Sequence, residues 1–128
     1  MSLLSKAGIL RPGVVSVVLV NHDGADHTME ALRAVDELDW PEGQLEVVVV
    51  DTASAGDDVT RIRDAAPHAT VVALDENAGF AGGCNRGVDV ATGEWIAFLN
   101  NDARPARDWL QEGIPVLRND GVACVASK

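Results

Sequence analysis

Cysteine is scarce in this 128-residue sequence: Cys84 and Cys124 are the only two. Forty residues apart, they match no zinc-binding or CxxC spacing, which argues against a structural metal knot or a redox dithiol. Cys124, within the apolar run VACVA, reads as a core thiol, and both cysteines suit a reducing cytosol. Positive charge is also scarce. Ten Lys and Arg face twenty Asp and Glu, a net charge of −10, which argues against a basic face that grips nucleic acid. A phosphate ester could be held only by backbone N–H groups or a bridging divalent cation. Long apolar runs are missing too. The longest, residues 14–20 with Ser16 allowed, is far too short to cross a bilayer. MSLLSKAGILRPG lacks the apolar stretch and small-residue cleavage site of a signal peptide. Residues 1–13 are therefore expected to form a loose arm, with one domain over 14–128.

Two phosphate-binding patterns are absent as well. No GxxxxGK[ST] occurs, which argues against a Walker-type NTPase. No GxGxxG follows the first apolar run, which argues against a nicotinamide or flavin Rossmann domain. A flavodoxin-like protein is disfavoured because NHDGAD offers no phosphate loop at that position.

What is present is periodic. VVSVVLV (14–20), LEVVVVD (45–51), ATVVALD (69–75), EWIAFLN (94–100) and GVACVAS (121–127) read as five strands, β-branched as expected of a buried parallel sheet. Between them lie helical patterns. Met29, Leu32, Val35 and Leu38 follow a possible Asp26 cap; Val59 and Ile62 follow Asp57 or Asp58. Cys84, Val88 and Ala91 share a face over 81–91, and Trp109, Leu110, Ile114 and Leu117 share one over 106–118, where Pro115 should kink or end the helix. The alternation predicts an α/β fold: a Rossmann-like, three-layer α/β/α arrangement with a mainly parallel sheet and right-handed crossovers. Ligands of such sheets bind beyond the carboxyl ends of the strands. NHDGAD, DTAS, DENAGF and NND all fall at those ends. Asp51 there could accept from a base imide N–H or a ribose hydroxyl, or simply form a turn. Asp102 could give an oxygen to Mg²⁺ or Mn²⁺, or form the turn before Pro105.

Taken together, VVSVVLVNHDGAD, LEVVVVDTAS and NAGFAGGCNRGVDVATGEWIAFLNND resemble the family 2 glycosyltransferases of the GT-A fold. The most specific block is NxGFAxGxNxG, followed by GE, an apolar strand and a DxD-like triplet; it is most similar to the rhamnosyltransferase branch. The resemblance runs from about residue 14 to the end. It implies an inverting transfer from a nucleotide-diphosphate sugar, dTDP- or UDP-linked, to a glycan acceptor of the cell envelope, in the cytoplasm or at the inner face of the membrane. It further implies that Val20, Asn21 and Asp23 flank the base, and that Asp51 binds base or ribose. Asn77, Gly79, Phe80 and Asn85 would contact nucleotide and diphosphate. The triplet maps to Asn100, Asn101 and Asp102, with Asp102 as ligand to a divalent cation and Asn100, an amide, as a ribose or water-mediated contact. His22 stands where the family often has an aromatic residue and could stack on the base.

The family's catalytic base, an Asp or Glu, lies well beyond the triplet. Here 26 residues follow Asp102, and Asp108 and Glu112, spaced i and i+4, read as a solvated helix face. The expectation is a truncated, donor-binding half. A non-catalytic nucleotide-sugar-binding or assembly module is the alternative. Open strand edges would favour a homo-oligomer. His27 and His68 are expected in solvent, and Trp40, Trp95 and Trp109 in packing.

Overall fold

The computed structural model describes residues 10–127. Eight elements alternate: β1 (Arg11–Asn21), α1 (Ala25–Asp36), β2 (Leu45–Thr52), α2 (Asp58–Ala65), β3 (Thr70–Leu74), α3 (Gly79–Val90), β4 (Gly93–Asn100) and α4 (Trp109–Leu117). All strand pairings are parallel, in the order β3-β2-β1-β4.

That order follows from a handedness rule. From β1 the chain steps outward to β2 and then β3, so right-handed crossovers put α1 and α2 on one face. From β3 it jumps back past β2 and β1 to β4, and the same handedness puts α3 on the opposite face. The core divides accordingly. Val15, Val17, Leu19, Val47, Val49 and Leu99 pack with residues of α1, α2 and α4, among them Leu32, Ile62 and Leu110. Val18, Val48 and Val50 form a smaller cluster on the α3 side. Period-two alternation fixes which side chain faces which layer. β1 and β2 are closed on both faces, which their unbroken valine runs anticipated.

α3 lies unusually close to the sheet because Gly83 and Gly87 face it. A Cβ on Gly87 would sit 2.3 Å from Val18 Cγ1, and one on Gly83 2.7 Å from Val20 Cγ1. The glycines after β3 therefore serve helix–sheet contact at least as much as the turn. Gly79, with φ of +70°, is the turn residue proper.

At the amino end of the sheet, Glu46 of β2 ties β1 to the residue just before β4. It accepts from Ser16 Oγ, from Thr92 N at 2.8 Å and from Thr92 Oγ1 at 3.1 Å, with Arg11 3.8 Å away. Burial alone would raise its pKa, but these hydrogen bonds and Arg11 outweigh it and hold the carboxyl below its ordinary value.

Several expectations are corrected. Residues 121–127 form no strand, and Cys124 is exposed. VACVA is apolar but has no described strand beside it, and an isolated apolar run gains nothing by extending alone. Arg11 to Gly13 belong to β1, not to an arm: Arg11 N donates to Thr92 O at 2.7 Å and Gly13 N to Glu94 Oε2 at 2.8 Å. The remainder of the expected arm, residues 1–9, lies outside the described residues. Pro115 does not end its helix, which continues to Leu117. Asp26 and Asp57 make no capping hydrogen bond; Asp26 instead pairs with Arg61. The three tryptophans pack against the main core as expected. His27 and His68 are exposed, His68 with its Nε2 3.0 Å from Asp36. Among the described residues no helix is long and apolar enough to cross a membrane.

Candidate functional site

The carboxyl ends of all four strands border one open cleft of about 290 Å³. β1 contributes Val20 and, just past its end, His22; β2 contributes Thr52. The β3–α3 segment gives Asn77, Gly79 and Phe80, and Asn101 follows directly after β4. The cleft sits where the strand order reverses, between β1 and β4, which is where open parallel sheets bind ligands.

Of the residues expected at a site, Val20, Asn77, Gly79, Phe80 and Asn101 line this cleft. Thr52 lines it too and had not been singled out; its signal was its position one residue after Asp51, on the opposite face. Phe80 is 56% exposed, an aromatic side chain in solvent at the cleft wall. Thr52 Oγ1 accepts from Ala78 N at 2.6 Å and donates to Asn77 Oδ1 at 3.1 Å, and Asn77 Oδ1 also accepts from Gly79 N at 2.9 Å. These bonds lock the β3–α3 turn to the tip of β2.

Asn21 and Asp51 occupy a different place from the one expected. Both are buried, at 0% and 2% exposure, and neither lines the cleft. The reason is alternation: Val20 and Thr52 face the α3 side, so Asn21 and Asp51 face α1 and α2. There they build a polar network. Asn21 Nδ2 lies 2.8 Å from Asp51 Oδ2 and 2.9 Å from Asp58 Oδ2, and Asn21 Oδ1 accepts from Thr28 Oγ1 at 2.6 Å. Asp51 also accepts from Ser54 N at 3.0 Å and Ser54 Oγ at 2.6 Å. Asp58 accepts from Ala25 N at 3.2 Å. No buried side-chain polar atom among the described residues lacks a partner. This network fixes the β1 and β2 tips to each other.

The loops above it are strained. Asp23 and Ala53 have φ of 49° and 55°. Asp23 N donates to Ser54 Oγ at 2.9 Å, and Ala55 N donates back to Asp23 Oδ1 at 2.8 Å. Two positive-φ residues are thus clasped together beside the cleft.

Asn100 opens the turn after β4, its carbonyl accepting from Ala103 N at 3.0 Å. Asn101 Nδ2 reaches Thr28 Oγ1 at 3.3 Å, so the β4 tip joins the same network. Asp102 is exposed and its carboxylate accepts no hydrogen bond from a described residue; Arg104 engages its carbonyl instead, at 3.2 Å. Asn85, Asn100 and Asp102 are exposed and lie outside the cleft lining. Among the described residues no three His, Cys, Asp or Glu side chains gather to hold a metal. A cation held at Asp102 would have to bring most of its other ligands with it, as Mg²⁺ does with phosphates and water. Burial pushes the Cys84 thiol pKa up, which disfavours a thiolate there.

The chain matches a known family. Its profile, Glycosyl transferase family 2, matches residues 16–128. Glycosyltransferase AglE of Haloferax volcanii is 28% identical over 87% of this chain and 38% of its own length. The succinoglycan biosynthesis protein ExoO of Rhizobium meliloti is 39% identical over 73% of this chain and 27% of its own. Among solved structures, mannosyltransferase PcManGT from Pyrobaculum calidifontis, in complex with GDP-Man and Mn²⁺, superposes with a TM-score of 0.79. It is 34% identical over 88% of this chain and 35% of its own. S. aureus TarS 1-349 in complex with UDP-GlcNAc shares the fold at TM-score 0.73 and 22% identity, over 81% of this chain and 31% of its own. The chain spans roughly a third of the length of these proteins.

Proposed function

Because the chain belongs to glycosyl transferase family 2, we propose that its cleft receives a nucleotide-diphosphate sugar, dTDP- or UDP-linked, for inverting transfer to a glycan acceptor. A single observation carries the reading. Val20, Asn77, Gly79, Phe80 and Asn101, drawn from separate strand ends, meet at one cleft at the reversal of strand order. The GDP-Man and Mn²⁺ of the Pyrobaculum relative support a nucleotide sugar and a cation as its contents.

In this reading Val20 and the exposed Phe80 offer apolar walls to the flat base. Asn77, Asn85 and the start of α3 face ribose and diphosphate. Asn100 and Asn101 give neutral contacts near the sugar. Asp23 holds the β2 loop in place beside the base, while Asn21 and Asp51 act from below, fixing the tips that carry the lining residues. A divalent cation on Asp102 would neutralise charge on the leaving diphosphate. In a chain of net charge −10 the cation also offsets repulsion of an anionic donor. The rhamnosyltransferase branch and a cell-envelope glycan acceptor remain part of the proposal, as does self-association.

A second reading has its own observation. Among the described residues no Asp or Glu side chain lines the cleft, so a carboxylate that deprotonates an acceptor hydroxyl would come from outside this lining. The isolated chain then acts as a donor-binding module without turnover.

Calorimetry with UDP, dTDP and GDP, with and without Mn²⁺, tests the first reading. Mn²⁺ should tighten binding at least tenfold, about 1.4 kcal/mol, and Asp102→Ala should remove that gain while leaving metal-free binding unchanged. A variant that keeps the full Mn²⁺ effect refutes the cation assignment. The module reading is tested separately, by incubating the isolated chain with a UDP- or GDP-linked sugar and Mn²⁺; sugar release refutes it.

A further inference from the structure

The two ends of an amide side chain have nearly the same shape, so its neighbours decide whether the oxygen or the NH₂ is offered to a ligand. Asn101 lines the cleft, and the direction of its amide can be traced, hydrogen bond by hydrogen bond, from the backbone outward. Ala25 N can only donate, and it donates to Asp58 Oδ2 at 3.2 Å. Ser54 N likewise donates to Asp51 Oδ1 at 3.0 Å. Both carboxylates are acceptors here. The Asn21 group 2.8 Å from Asp51 Oδ2 and 2.9 Å from Asp58 Oδ2 must then be its NH₂. Asn21 Oδ1 faces Thr28 and accepts the Thr28 hydroxyl hydrogen at 2.6 Å. Thr28 is fully buried, and its hydroxyl has only that one hydrogen to give. Toward Asn101, 3.3 Å away, Thr28 Oγ1 can therefore only accept. The Asn101 NH₂ turns inward, and Oδ1 is the end left for the cleft.

We propose that Thr28 is a positioning residue, which holds the Asn101 amide so that a ligand in the cleft meets a neutral hydrogen-bond acceptor suited to a hydroxyl group. That hydroxyl belongs to the ribose or to the transferred sugar. The proposal thus rests on the nucleotide-sugar reading above and adds a buried residue that acts only through Asn101. A neutral acceptor suits this position, because a carboxylate would add to the repulsion between a chain of net charge −10 and a diphosphate.

Gly24, just before α1, holds the amide from a second side. A Cβ there would lie 2.9 Å from Asn101 Nδ2, whereas its next neighbours, Asn21 Oδ1 and His22 O, would be at 3.6 Å. The φ of Gly24, −136°, is open to alanine. Gly24→Ala should therefore displace the end of one side chain and spare the fold.

NMR of the free, isotope-labelled chain reads the amide direction without any variant. With Nδ2 beside Gly24, the Asn101 side-chain amide hydrogens should show a nuclear Overhauser effect to the Gly24 α-hydrogens. Its absence overturns the proposal. Calorimetry in Mn²⁺ with UDP and UDP-glucose tests the consequence. Thr28→Val, which keeps the shape but loses the hydroxyl, should weaken binding about three- to tenfold, as loss of one hydrogen bond does. Gly24→Ala should weaken it comparably, and Thr28→Ser should keep most of the wild-type affinity. A loss shared by both ligands assigns the hydroxyl to the ribose; a loss confined to UDP-glucose assigns it to the sugar. Wild-type affinity in folded Thr28→Val or in Gly24→Ala overturns the proposal. So does an equal loss in Thr28→Ser and Thr28→Val, which would make packing rather than the hydroxyl responsible. Should Thr28→Val not fold, Gly24→Ala and Thr28→Ser decide the matter. In all these cases the wild type still binds nucleotide and the proposed function stands. A wild type that binds neither ligand refutes the proposed function and the ligand role of Asn101 together.

Discussion

Ala53 shows how single residues serve this site at a cost to stability. Its φ of 55° lies in the left-handed region, which costs an ordinary side chain about 1–2 kcal/mol. Glycine would remove that strain but would gain conformational freedom in the unfolded chain worth about 0.4–1 kcal/mol. Relief of strain outweighs that freedom, so Ala53→Gly should stabilise the fold by about 0.5–1 kcal/mol. A higher urea midpoint with unchanged slope would show it; a lower midpoint would mean that the Ala53 backbone is not strained. At this scale the sequence was only half legible. It marked Asp51 and Asn21 as important, and both are buried and fully bonded. It named Val20, which does line the cleft, but it could not show that Thr52, one residue after Asp51 and on the other face, would line it while Asn21 and Asp51 turned away.

At the scale of elements, glycine means different things in different helices. Within α3, Gly87 has no room: an added Cβ would lie 2.3 Å from a methyl of Val18, itself 1% exposed. Alanine gains about 1 kcal/mol of helix propensity over glycine, whereas overpacking a filled core costs about 1–3 kcal/mol. The clash prevails, and Gly87→Ala should destabilise by about 1–2 kcal/mol. Gly113 in α4 is the control, because nothing lies within 4 Å of its would-be Cβ. Gly113→Ala should stabilise by about 0.5–1 kcal/mol. Chemical denaturation of the pair tests the claim, and a shift of the same sign in both would defeat it. The glycine cluster after β3 was visible in the sequence, as part of the block NxGFAxGxNxG. Its role in close helix–sheet packing was not visible, because that depends on which strands α3 crosses.

At the scale of the molecule, the α3 face is only partly covered. α3 lies over β1 and β2, and β4 stands at the sheet edge. Phe98, beside Val18 in register and on the α3 face of β4, is 50% exposed. An exposed aromatic beside an open edge favours strand or face pairing with another copy. Self-association should be detectable by light scattering at tens of micromolar, and Phe98→Lys should weaken it. A strict monomer at those concentrations would refute the expectation.

Strand number and direction, up to β4, were set locally: unbroken valine runs can be stable only in a sheet covered on both faces, and helical patterns between them force parallel crossovers. The motif block from Asn77 to Asp102 was likewise written in the sequence, because it depends on residue types at fixed spacing. Two things were not local. The terminal run at 121–127 is as apolar as a strand, yet a strand exists only where a neighbour offers its N–H and C=O groups, and none of the described strands does so there. The division of site residues into cleft-lining and buried was decided by the order β3-β2-β1-β4, which placed α3 alone on one face. Side chains of one parity then turned to the cleft, and those of the other joined the network beneath it.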